Sequence, residues 1–278
     1  MFAVNAKIKG WILGILAAGF CALGLMFWQL PDGRMHVWFL NVGQGDSIFI
    51  RTPENHQILI DGGPGNKVIE ELSEVMPFFD RSIDLVIATH PQQDHIGGLV
   101  EVLKRYDVEN VLLNGVEYKN SYYDELLREI ISQNTGIFVA DAETDFTFGQ
   151  VLVDVIYPFD QLLLEAFEEV NDTAIAVRIV YKDTIILLTA DLEAEAEKQL
   201  VESGVNLKAD IFKAGHHGSK TSSTLSLLGK VRPEITVIQS GEDNRYGHPH
   251  KEALERLKLA GVKTIRRNDL EGRIEFEF

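Results

Sequence analysis

Six of the eight histidines crowd into three short segments: THPQQDHIGGL (89–99), AGHHGSK (214–220) and YGHPH (246–250). Each lies at or just beyond the end of an apolar run: IDLVIAT (83–89), ADIFKAG (209–215) and EITVIQS (234–240). Side chains at the carboxyl ends of several strands can converge on one crevice. Imidazole and carboxylate together suit zinc, manganese or iron. Two further acids follow apolar runs in the same way, Asp61 in QILIDGG and Asp191 in TIILLTAD. Taken singly, such an Asp is as readily a turn former or a helix N-cap, and Asp191 before LEAEAEKQL fits that role. The joint recurrence at strand ends is what points to metal-assisted chemistry.

These groups need a scaffold of strands, and the pattern supplies one. Runs rich in Val, Ile and Phe, bounded by Gly, Asp, Asn or Pro, predict strands at 35–42, 47–52, 57–62, 83–89, 109–114, 151–158, 173–181, 184–190, 209–215, 234–240, 262–267 and 272–278. Helical periodicity marks 66–75, 97–105, 121–133, 192–203, 222–229 and 250–260. Strands come first in hairpin-like succession and then alternate with helices, twice over. Two packed sheets with helices outside, a layered α/β domain over 32–278, accommodate that order.

Residues 10–31, GWILGILAAGFCALGLMFWQLP, carry no charge. At 1.5 Å per residue, ~20 apolar residues span a bilayer core. Trp11 and Trp28 sit near the ends, and Lys7 and Lys9 precede the run. The expectation is a single-pass anchor at 1–31, with a cytoplasmic N-terminus and everything after Leu30 outside. A cleaved signal peptide fits less well, because the run is long and no small-x-small site follows it. The single cysteine, Cys21, excludes a disulfide framework and a cysteine zinc site. The net charge of −16 excludes a general nucleic-acid coat.

THPQQDHIGG resembles the HxHxDH metal motif of the metallo-β-lactamase superfamily. The order FLNVGQGDSIFI, ILIDGG, THPQQDHIGG, NDTAIAVRI, ILLTAD, AGHHGSK and YGHPH is similar to one branch, the extracytoplasmic hydrolase domain of the competence protein ComEC and its stand-alone relatives. The resemblance covers about 34–278 and implies an αββα sandwich with two divalent ions, Zn or Mn, between the sheets. Carried over by position, it implies His90, Asp94, His95, Asp191 and His216 as metal ligands. Asp94, His95 and His216 would hold one ion, and His90 with the bridging Asp191 the other. His217 and His248 match residues beside the metals, as phosphate contacts, proton donors or further ligands. Ser219 and the TSS run at 221–223 could donate to an oxyanion. One position departs from the pattern. Gln92 stands where the superfamily has His and this branch commonly has Asp, and an amide oxygen is the weaker ligand. The His90 ion is then loosely held, or the site works with one metal.

Bound divalent cations bring the pKa of water from 15.7 towards about 7, which suits phosphodiester hydrolysis and equally a lactam, lactone or thioester. Charge distribution favours the first. Residues 32–204 contain 11 basic and 32 acidic side chains, whereas 205–278 contain 13 basic and 10 acidic. Lys213 and Lys220 bracket HHGS and Arg245 adjoins GHPH, where a phosphodiester needs cations. The leading expectation is a membrane-anchored nuclease acting on DNA outside the cytoplasm, in DNA uptake, with a separate channel protein as partner. An envelope phosphodiesterase or small-ester hydrolase, and a catalytically weakened DNA-binding module, are the alternatives. The oligomeric state is not legible in the sequence.

Overall fold

The computed structural model describes residues 6–28 and 32–278. The chain divides into two compact units, Met1–Asp32 and Gly33–Phe278. In the first unit, α1 (Ala6–Trp28) is a single helix whose segment Lys7–Met26 is long and apolar enough to cross a membrane. Its side chains over that segment are exposed, among them Trp11, Leu13, Ile15, Leu16 and Phe20. The predicted end of the apolar run and the predicted boundary at 31 lie outside the described residues, as does the side chain of Trp28.

The second unit alternates along its strands as a two-sided sheet requires. β1 (His36–Phe39), β2 (Ile48–Arg51), β3 (Gln57–Ile60), β4 (Ser82–Ala88), β5 (Asp107–Leu113) and β6 (Gly136–Val139) belong to one sheet. β7 (Phe146–Phe148), β8 (Val151–Tyr157), β9 (Ala176–Tyr181), β10 (Thr184–Leu188), β11 (Ile211–Lys213), β12 (Ile235–Ile238) and β13 (Thr264–Arg267) form the other. The last strand, β14 (Ile274–Glu277), returns to pair with β1. Both sheets read antiparallel along one half and parallel along the other: β3, β4, β5 and β6 in the first, β10, β11, β12 and β13 in the second.

Val37, Phe39, Ile58, Ile60, Leu85 and Ile87 point from the first sheet to the second, where they meet Val153, Val177, Ile179, Ile186 and Leu188. The alternate residues Trp38, Leu59 and Val86 face outward. They are covered by α2 (Lys67–Val75), α3 (Gln93–Leu103) and α4 (Ser121–Gln133) through Leu72, Leu99, Leu103 and Leu126. On the far side, α5 (Ala194–Ser203), α6 (Leu225–Val231) and α7 (Lys251–Leu259) cover Leu187 and Phe212 with Leu200, Leu228 and Leu257. The short α8 (Asn268–Glu271) leads into β14. The result is the four-layer α/β/β/α sandwich that the order of elements predicts.

The observed elements differ from the sequence expectation at α3, β6 and β7. The predicted helix 97–105 begins at Gln93, so Asp94 and His95 ride on its first turn. Gly97 and Gly98 within it allow a close approach. A Cβ on Gly98 would stand 2.0 Å from the Gly62 carbonyl oxygen, so glycine lets α3 touch the loop after β3. Two strands, β6 and β7, escape the periodicity because they are short and only partly buried.

Candidate metal centre

The parallel halves of both sheets end at one edge, and the chemistry-bearing residues collect there. Asp61 follows β3, His90 follows β4, Asp191 follows β10, and His216 and His217 follow β11. Asp94 and His95 arrive on the first turn of α3. The GQGD loop after β1 is knitted to them by backbone. Asp46 N donates to Asp94 O, Gly62 N to His95 O and Gly63 N to Asp46 O at 2.7–3.2 Å. Gly45, at φ +139°, passes so close that a Cβ would stand 2.2 Å from Asp94 O.

His90, His95 and Asp191 bring ligand atoms within 4.8 Å of one another, and so do Asp94, His95 and His217. His95 Nε2 and His217 Nε2 lie 3.2 and 3.3 Å from Asp191 Oδ2, and His217 Nε2 is 3.3 Å from Asp94 Oδ2. The opposite ring nitrogens are held from behind. Nδ1 of His95 donates to Asp61 Oδ2 at 2.7 Å, and Asp61 is fixed by Thr89 N and Oγ1. Nδ1 of His217 stands 3.1 Å from Asp46 Oδ1 and also from Gln239 O. An acceptor behind each imidazole, the Asp61 carboxylate for His95 and the Gln239 carbonyl for His217, fixes its tautomer and leaves Nε2 free to ligate.

Those facing atoms have no hydrogen-bond partner. Nε2 of His90, His95 and His217 and both oxygens of Asp191 are buried and unpaired. Orphaned buried polar atoms are costly, and a cation among them removes the deficit. Charge argues the same way. Asp46, Asp61, Asp94 and Asp191 lie together, and among the described residues Lys213 is their one buried ammonium. Burial alone disfavours charge on His95 and His217, but the Asp191 carboxylate, with Asp61 and Asp46, holds both pKa values well above the ordinary one. Burial would raise Asp94, yet the neighbouring imidazoles of His217 and His95 hold it well below the usual carboxylate range. His90 is neutral, driven to about 3 by burial and by His95. Imidazole and carboxylate donors in this excess of negative charge fit a divalent ion.

The adjacent histidines take places different from those expected. His216 and His217 both adopt left-handed backbone, at φ 47° and 54°. Such a conformation costs about 1–3 kcal/mol per residue and marks functional turns. The turn sends His217 into the buried cluster and leaves His216 at the mouth. There His216 Nδ1 is 3.1 Å from Glu193 Oε1, and Nε2 is 3.6 Å from Asp191 Oδ2. Gln92 stands outside both ligand groups, with Nε2 donating to Asn171 Oδ1 at 2.7 Å. Asn171 Nδ2 donates in turn to Glu193 Oε1. The chain Gln92–Asn171–Glu193 thus leads to His216, whose Nδ1 is 3.1 Å from Glu193 Oε1.

Lys213 requires a correction. The sequence places it against substrate, but its side chain is fully buried, paired with Asp46 and donating to Ala190 O. It compensates charge beneath the site and reaches no ligand. Ser219 is buried, with Oγ 2.9 Å from Thr221 Oγ1, and Lys220 is exposed on the same loop. His248 lies at the mouth, its ring 5.6 Å from that of His216, and burial with the charge of His217 lowers it to about 4. Arg245 is exposed on a groove of about 400 Å³ that Asp94 also lines. Sequence reasoning missed Asp46 and Glu193. The signal for Asp46 was an acid in a glycine-rich turn entering an apolar strand; Glu193 had none.

Residues 40–241 match the Metallo-beta-lactamase superfamily. ComE operon protein 3 of Bacillus subtilis is 28% identical over 273 residues, covering 91% of this chain and 34% of the relative. Recombination protein 2 of Haemophilus influenzae is 30% identical over 243 residues, covering 85% and 28%. The chain thus spans about a third of the length of these relatives. Among solved structures, the metallo-beta-lactamase fold protein YhfI from Bacillus subtilis superposes with a TM-score of 0.58 at 12% identity, over 88% of this chain and all of that one. The likeness is one of fold. With two packed sheets, a His/Asp cluster at their shared edge and a family match over most of its length, the chain belongs to the metallo-beta-lactamase superfamily.

Proposed function

We propose that the chain is a membrane-anchored, metal-dependent phosphodiesterase that cleaves DNA outside the cytoplasm. The observation that carries the reading is the set of unpaired buried donor atoms on His90, His95, His217 and Asp191, opening beside Asp94 onto the groove of Arg245. These residues would hold a divalent ion, which would supply an activated water and stabilisation of charge on phosphoryl oxygens. The best-built position is that of Asp94, His95, His217 and Asp191, because each imidazole there has an acceptor behind it. A second ion beside His90 is held less firmly, since Gln92 bonds Asn171.

The protein's own groups divide the remaining work. Asp61, and Gln239 O with Asp46, orient the imidazoles. His216, steered by Glu193, is the group at the mouth placed to hand a proton from Nε2 to a leaving oxygen. Arg245 and Lys220 are exposed cations flanking the mouth, suited to non-reacting phosphates. The name of one relative, Recombination protein 2, and the resemblance to the competence protein's hydrolase domain support DNA as substrate and an uptake channel as partner. Lys7 and Lys9 before the apolar helix support a cytoplasmic N-terminus.

The test is product analysis. The full chain in detergent, supplied with Mn²⁺ or Zn²⁺, is incubated with a single-stranded oligonucleotide and with bis-p-nitrophenyl phosphate. Cleavage of both is expected. Cleavage of the small ester alone moves the assignment to an envelope phosphodiesterase, and cleavage of neither removes the hydrolase reading.

A further inference from the structure

Beside the metal centre, the loop after β12 carries a ladder of planar groups. The His248 ring lies 6.1 Å from that of His217 and stacks on Tyr246, with centroids 5.7 Å apart and planes at 21°. The Arg245 guanidinium continues the series, its Cζ 4.9 Å from the Tyr246 centroid and Nη2 donating to the Tyr246 hydroxyl at 2.7 Å. The ladder runs from the buried histidine out to solvent along the groove that Asp94 lines.

The loop is braced rather than loose. Asn244 Oδ1 accepts from Tyr246 N and His248 N, at 3.2 and 2.9 Å. Asn244 Nδ2 donates to the carbonyls of Gly241 and His248. Gln44, from the loop after β1, accepts from Gly241 N and lies 3.4 Å from His248 Nδ1. Despite this bracing Tyr246 remains 49% exposed. An aromatic ring held out at the lip of a site contributes little to the core. With His248 stacked on it and the Arg245 guanidinium over its ring, it backs the outer plane of Arg245, whose ordering is already complete before a ligand arrives.

We propose that Arg245, propped on Tyr246, is a stacking platform for the nucleobase next to the scissile phosphodiester, so that the preferred substrate is an unpaired strand. This rests on the phosphodiesterase reading above and adds a substrate class to it. A base in a duplex has its faces covered by neighbours, whereas an unpaired base can lie against an aromatic or guanidinium plane. Stacking also tolerates any base, because each has a π face. The Arg245 guanidinium can stack and contact the flanking phosphate at once.

The test separates binding from cleavage. Fluorescence anisotropy is measured on the full chain in detergent, with metal removed to prevent turnover. The probes are an oligothymidylate, an abasic strand of equal length and the matching duplex. The wild type is expected to bind the oligothymidylate most tightly. Tyr246→Ala weakens that binding about tenfold and leaves the abasic strand unchanged, while Tyr246→Phe behaves as wild type. Equal binding of base-bearing and abasic strands by the wild type overturns the inference. So does a Tyr246→Ala loss that is equal on both strands, or absent. Base-selective binding without metal-dependent cleavage keeps this inference and overturns the hydrolase reading; cleavage without base selectivity does the reverse.

Discussion

Asp61 stands directly behind His95: its Oδ2 lies 2.7 Å from Nδ1, on the far side of the ring from Asp191. Asp46 Oδ1 stands 3.1 Å from His217 Nδ1, whose hydrogen bond goes to Gln239 O. Both acids are buried and come from different loops of the first sheet, yet they stand behind histidines from opposite sheets. Asp61→Asn and Asp46→Asn are each expected to weaken divalent-ion binding about 10–100-fold, measured by competition with a chromophoric chelator. Unchanged affinity with the fold intact contradicts the orienting role.

The two neighbouring histidines are expected to separate cleanly. His217→Ala removes an inward ligand and lowers both metal content and turnover. His216→Ala keeps the metal content and lowers kcat about 100-fold, since His216 is proposed to move a proton at the mouth. Metal analysis beside steady-state kinetics checks the pair. Loss of metal in His216→Ala with retention in His217→Ala restores the ligand assignment that the resemblance implies.

Gln92 is the third case. Replacing its amide with a carboxylate, Gln92→Asp, breaks the bond to Asn171 and presents a stronger ligand beside His90. The bound metal per chain is expected to rise, read by elemental analysis after dialysis. An unchanged ratio means that Gln92 does not limit the second ion.

Outside the metal cluster, Glu197 governs a pH response. It is buried, accepts from Ser223 N and Thr224 N, and burial lifts its pKa from 4.5 to about 7. The folded state therefore binds this proton more tightly than the unfolded state. Its contribution favours folding below about 4.5, declines as pH rises and is fully lost above about 7. Glu197→Gln is expected to flatten that part of the Tm–pH curve. It also lowers Tm at every pH, because its amide nitrogen faces a backbone donor, at about 1–3 kcal/mol. A slope unchanged by the substitution assigns the response elsewhere.

The sandwich was legible because alternation and strand order are local properties. α4 matches its predicted bounds, 121–133, since Asn120 caps its start and Asn134 ends it in left-handed backbone. The segments that carry the candidate site stand out in the sequence because each follows an apolar run. Two features were not legible. Whether His216 or His217 turns inward depends on two consecutive left-handed residues, which no spacing reveals. Lys213 reads as a surface cation because its partner, Asp46, comes from the opposite sheet's first loop.

If Asp94 and the buried His95, His217 and Asp191 form a working metal centre, hydrolysis must follow the ion and need the carboxylate. Phosphodiester hydrolysis is therefore measured on chain stripped with chelator and then reloaded with Mn²⁺ or Zn²⁺, alongside Asp94→Ala treated identically. Stripped wild type is expected to be inert, reloading to restore activity, and Asp94→Ala to stay inert at the same metal concentration. Activity that survives stripping, or that Asp94→Ala shows equally, contradicts a metal centre built on these residues.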